Sequence, residues 1–106
     1  MNVIVAGTDD HDIAGAIAAE GHHIERVDVA NRPTLESAGI VDAAVFVLTE
    51  VEQATAISVA KDLNPGLKVV VYADGSLPDF ARRQAGHILD PKLLDPDFVA
   101  EEVAAA

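Results

Sequence analysis

Residues 43–72 read AAVFVLTEVEQATAISVAKDLNPGLKVVVY, and this stretch decides the fold class. Ala43-Ala44-Val45-Phe46-Val47-Leu48 is a continuous apolar run of strand length, the pattern of a strand covered on both faces. Glu50 to Leu63 reads as a full helix, and Asn64-Pro65-Gly66 ends it. Lys68-Val69-Val70-Val71-Tyr72 is a second buried strand. Strand, helix and strand in succession form a βαβ unit, whose crossover is right-handed and whose strands run parallel.

The same alternation continues on both sides. Toward the amino end, Val3-Ile4-Val5-Ala6 is a buried strand closed by Gly7. A helix over Asp12 to Glu20 follows, with Ile13, Ala14 and Ile17 on one face and Gly21 as its stop. His23 to Val29 alternates like a strand nearer the sheet edge. Asn31-Arg32-Pro33 then breaks the chain, leaving Thr34 to Ala38 room for only a short helical turn. Toward the carboxyl end, Pro78 to Gln84 reads as a helix with Ser76 as N-cap and Gly86 as its close. His87-Ile88-Leu89 is a very short strand. Asp95-Pro96 opens a last helix that runs to the Ala-rich end, with Asp as N-cap and Pro at the first helical position. No linker, repeat or low-complexity stretch interrupts residues 1–106, which read as one α/β domain with about five parallel strands and helices on both faces.

Composition narrows the function classes. Cys is absent, which excludes disulfides, thiolate metal sites and Cys nucleophiles and fits a reducing, cytoplasmic setting. No apolar run approaches the roughly 18 residues of a membrane span, and no basic leader precedes the first strand, so membrane insertion is not expected. Eighteen acidic against seven basic residues give a net charge of −11, a field that repels phosphate backbones and argues against nucleic-acid binding. An acidic surface attracts a basic protein partner, or it is spread evenly as in proteins of salt-rich cytosols. Three Lys, four Arg and many small Ala and Val residues favour the second, halophilic reading.

In order, these landmarks resemble the nucleotide-binding RCK domain (KTN, or TrkA-N type) of potassium channels and transporters. The likeness rests on Val3 to Gly7, on Ala14 to Gly21-His22, and on Val27-Asp28. It continues through Leu35-Glu36-Ser37-Ala38-Gly39-Ile40-Val41-Asp42-Ala43-Ala44, Ala60 to Lys68, and Ala85 to Pro91. Such a resemblance implies a Rossmann-like regulatory or interaction module with a degenerate NAD(H) or nucleotide site. Gly7, Thr8 and Asp9 would form its phosphate loop, Asp28 would bind ribose, and Thr49 would stand at a strand end. It also implies a homodimer through Leu77 to Gln84 and Phe98 to Val103, with Leu77, Phe80, Phe98 and Val99 as apolar contacts. The family strand between Asp28 and Leu35 is missing, which turns the order 3-2-1-4-5-6 into the flavodoxin-like 2-1-3-4-5.

The loop itself departs from a dinucleotide cradle. Gly7-Thr8-Asp9-Asp10-His11-Asp12 keeps one glycine and adds carboxylates, which cap a helix and repel a phosphate. Capping by Asp10 or Asp12 is the plain reading, and it implies weak or lost dinucleotide binding. An alternative is a small-ligand, nucleotide or cation sensor in the crevice at the strand ends, with Asp9, Asp10 and Asp74 around a hard cation. A phosphoacceptor receiver domain would carry acids after the first strand, an Asp after the third and a Lys after the fifth. Here Leu48-Thr49-Glu50 and Asp90-Pro91-Lys92 stand at the last two places, so the nucleophile is missing and the receiver reading is set aside. The four His residues have no metal-ligand spacing, and no catalytic set emerges.

Overall fold

The structure, a computed structural model, describes residues 1–104, the last of them in backbone only. Five parallel strands, β1 (Asn2–Ala6), β2 (His23–Val27), β3 (Val45–Leu48), β4 (Lys68–Tyr72) and β5 (His87–Leu89), stand in the order β2-β1-β3-β4-β5. This is the flavodoxin-like order expected from the sequence. Its switch point lies between β1 and β3, paired from Val3–Val45 to Ala6–Leu48.

Alternation along the strands builds two cores. Ile4, Phe46, Leu48, Val69 and Val71 point to one face and pack with Leu35, Ile57 and Ala81. These three belong to α2 (Arg32–Ser37), α3 (Thr55–Leu63) and α4 (Asp79–Arg82). Val3, Val5, Val45, Val47, Val70 and Tyr72 point the other way, onto Ile13 and Ile17 of α1 (Ile13–Ala19) and Val99 and Val103 of α5 (Pro96–Ala104). The helices therefore cover both faces, and among the described residues the charged side chains stay outside the two cores.

Several element boundaries differ from the sequence reading. β2 ends at Val27 rather than Val29, because Gln53 takes up the backbone just beyond it. Its side chain accepts from Ala30 N at 2.8 Å and donates to Asp28 O at 2.8 Å. Asn31 does not break the chain but caps α2, accepting from Thr34 N at 2.9 Å with Pro33 in the first turn. The helix expected from Glu50 starts only at Thr55, after a 3-10 turn over Val51–Gln53, since Glu50 is held extended. α4 is shorter than expected and Ser76 does not cap it; Pro78 stands at its cap position without a side-chain bond. The last helix opens as expected, with Asp95 accepting from Phe98 N at 3.0 Å. Its run to Ala105 and Ala106 lies outside the described residues. No helix among those described is long and apolar enough to cross a membrane.

Candidate functional site

Parallel strands bring all their carboxyl ends to one rim, and the loops that leave them enclose a crevice there. It has a volume of about 230 Å³. Thr8, Asp9, Asp10 and His11 line it from β1, Thr49, Glu50 and Glu52 from β3, and Tyr72, Ala73 and Asp74 from β4, with Pro91 closing one side. Of the residues singled out in the sequence, the crevice gathers Thr8, Asp9 and Thr49, and Asp10 and Asp74 with them. Gly7 sits beneath it. Asp28 is exposed and is not part of the lining.

Gly7 is required by geometry. Its φ is +101°, and a Cβ there would meet Thr49 Oγ1 at 2.6 Å. This close approach lets the Thr49 hydroxyl donate to the carbonyls of Ala6, at 3.0 Å, and Thr8. Thr8 in turn donates both its backbone N–H and its hydroxyl to the Glu50 carboxylate. The Thr8 hydroxyl, the Thr8 amide and Gln53 together hold the Glu50 carboxyl below its ordinary value. The two loops at the switch point are thereby tied to each other.

Asp9 closes the amino end of α1. Its Oδ1 accepts from Ile13 N at 2.7 Å and its Oδ2 from Ala14 N at 2.9 Å, so the free N–H groups of α1 are taken. Arg26 of β2 reaches the same carboxylate at 3.6 Å and donates to Gly7 O at 3.0 Å. The Asp9 side chain is only 4% exposed. Asp12 adds the expected cap, accepting from Gly15 N at 3.2 Å, whereas Asp10 stands exposed. Asp9, Asp10 and Asp74 share the crevice, yet no group of three or more acidic or His side chains is gathered to hold a metal ion among the described residues.

On the far wall, Tyr72 is buried and its hydroxyl donates to Leu94 O at 2.6 Å. Burial, then the charges of Asp95, Asp9 and Asp90, raise its pKa. His11 packs against its ring edge at 5.9 Å. Arg26, Glu50, Gln53 and Tyr72 were not singled out in the sequence. Their position beside or just after strands whose carboxyl ends share a rim is the signal that would have found them.

The profile of a family described as "Family of unknown function (DUF7126)" matches residues 3–103. This chain belongs to that family. No curated protein matches it. Among solved structures, HP1043, an orphan response regulator of H. pylori, superposes on this DUF7126 chain with a TM-score of 0.75 at 13% identity, over 99% of this chain and 94% of that one. A response regulator from Thermotoga maritima gives 0.70 at 12% identity, over 99% and 96%. One from Burkholderia pseudomallei, with a phosphorylated aspartic acid, a calcium ion and citrate, gives 0.60 at 18% identity, over 98% and 71%. At these identities the likeness is one of fold.

Two expectations are corrected by it. The resemblance to the RCK/KTN (TrkA-N type) domain does not hold, and with it falls the assignment to an NAD(P)-binding family. The strings that carried it, such as Ala38-Gly39-Ile40 and Asn64-Pro65-Gly66, are local solutions that any parallel α/β sheet can use. Gly39 has φ +89°, and Asn64 donates to Ile40 O at 3.0 Å and Ala43 O at 2.9 Å to hold the strand entry. The flavodoxin-like fold stands as expected, and the solved structures that share it are response regulators.

Proposed function

We propose that this chain is a regulatory or interaction module on the receiver fold that works by protein contact, without taking up a phosphoryl group. The observation that carries this reading is the pair of residues after β3. Thr49 and Glu50 stand where the phosphoacceptor Asp of a receiver would be, and both are engaged with Thr8. Two hydrogen bonds from Thr8 hold Glu50 Oε1 against the loop after β1, so this carboxylate serves as a tie between loops. Asp9, the deepest acid, spends both oxygens on α1. After β5 the chain offers Asp90 where a receiver carries its Lys, and Lys92, two residues on, is not among the residues that line the crevice.

Incubation with acetyl phosphate and magnesium, followed by intact-mass spectrometry, tests this. The expected result is an unmodified chain. A stoichiometric phosphoryl adduct on Glu50, Asp10 or Asp74 refutes the reading.

Self-pairing belongs to the same proposal. Leu77 and Val99 are buried in the chain's own cores, which leaves Phe80 on α4 and Phe98 on α5 as the exposed apolar contacts of the expected set. A second reading keeps the crevice as a small-ligand sensor lined by Thr8, Asp9 and Thr49. Three loops enclosing about 230 Å³ favour it, and a thermal-shift screen at high salt tests it.

A further inference from the structure

The sheet has two edges, and they are finished differently. β5 is three residues long. β2 is five residues long, HIERV, with His23, Glu25 and Arg26 exposed. Its backbone alternates in direction. His23 N donates to Met1 O at 3.1 Å, and Val27 O accepts from Gly7 N at 2.9 Å. In a parallel ladder these two bonds place the backbone groups of His23, Glu25 and Val27 on the β1 side. Ile24 and Arg26 therefore turn their N–H and C=O groups outward, and no hydrogen bond among the described residues takes them up. An open edge of this kind is a template for another strand.

The residues of the edge select that strand. His23 and Glu25 share one face, their side chains 65% and 49% exposed. Ile24 lies on the other face, partly buried against the core that α1 and α5 cover. An antiparallel copy that uses the outward groups can place its two-fold axis at Ile24, Glu25 or Arg26. An axis at Glu25 sets that carboxylate directly against its own equivalent, and an axis at Arg26 does the same with two guanidinium groups. With the axis at Ile24, each His23 stands opposite Glu25 of the second copy, an imidazole facing a carboxylate at both ends of the pair. The two Ile24 residues then exchange both backbone hydrogen bonds, and their side chains join the apolar layers of the two copies.

We propose that the β2 edge is a self-pairing surface, at which two copies join their sheets antiparallel with Ile24 on the two-fold axis and His23 against Glu25. This goes beyond self-pairing through Phe80 and Phe98, since Phe98 lines a groove with β5 at the opposite edge of the sheet. A net charge of −11 on each copy opposes association in dilute buffer, so the pairing belongs to molar salt.

Light scattering in molar KCl tests it. The unaltered chain should self-associate, and Phe98→Asp, which removes the other contact, should still form a dimer. Adding His23→Glu to that variant sets Glu against Glu25 at both ends and should weaken the dimer about tenfold or more. Exchanging the pair, His23→Glu with Glu25→His, should restore it, with thermal melts close to the parent's throughout. The chain has no Cys, so Ile24→Cys puts one thiol on the axis, and mild oxidation should cross-link it. Glu25→Cys should not cross-link. A monomeric Phe98→Asp chain overturns the proposal, and association of the unaltered chain would then belong to Phe98. A dimer indifferent to His23→Glu, an exchange that fails to restore it, or cross-linking through Glu25→Cys in place of Ile24→Cys also overturns it. The mass measurement, and the reading without phosphoryl uptake, stand or fall separately.

Discussion

Gly7 and Asp9 show how much one position can determine. Gly7 combines φ +101° with a Thr49 oxygen 2.6 Å from where a Cβ would stand. Gly7→Ala should cost about 1–3 kcal/mol, the range for a residue forced into a sparsely allowed conformation. Gly66 has no such φ and only Asn64 Oδ1 near it, at 3.8 Å, so Gly66→Ala should change little. Urea midpoints for the two variants decide the matter, and equal midpoints would remove the special role given to Gly7. Asp9→Ala should lose about 1–2 kcal/mol, because two α1 N–H groups and Arg26 lose their acceptor. A glycine after β1 is legible in the sequence, but its reason, the close approach of Thr49, is not. Capping by Asp12 was legible too. That Asp9 rather than Asp10 closes the helix was not, since spacing alone does not say which carboxylate turns inward.

Elements were most readable where an apolar run was bounded by a clear turn or cap residue. β4 and β5 match their expected bounds, and α5 opens with its expected cap. Misreadings fell where a long-range side chain overrides local pattern. Gln53 ends β2, and Glu50, drawn to Thr8, delays α3. Two pH effects belong to this scale. Glu50 titrates below its ordinary value when folded, so its contribution is present above that value and lost as pH falls through the folded one. Glu50→Gln should therefore flatten the acid limb of a melting-midpoint profile, and an acid limb identical to the parent's would contradict the tie between the loops. Tyr72 titrates above its ordinary value, so its contribution is intact below that value and lost as pH rises through the folded one. Tyr72→Phe should flatten the alkaline limb instead. At neutral pH it should cost about 1 kcal/mol for the lost bond to Leu94 O.

At the scale of the whole molecule, charge outweighs any single contact. Eighteen acids and seven bases belong to a body of 28 × 28 × 22 Å, and those described stay outside its two cores. Among the described residues only Arg26–Asp9 and Arg32–Asp62 join an Arg or Lys to a carboxylate. Most of the acidic charge is therefore unneutralised. The Debye length is roughly 10 Å at 0.1 M salt and 3 Å at 1 M. In dilute buffer carboxylates on neighbouring helices repel one another across much of the surface, while at molar salt only near neighbours do. Unfolding spreads the same charge over an expanded chain, so weak screening penalises the compact state. The unfolding midpoint should rise steadily with KCl, by roughly 4–8 °C for each kcal/mol of repulsion removed in a domain of this size. A midpoint that stays level from dilute buffer to molar KCl would mean that the excess acids are too far apart to matter. It would also remove the physical basis for the halophilic reading. The same titration in NaCl and in potassium glutamate separates screening from binding of a particular ion, because screening depends on ionic strength and not on which ion supplies it.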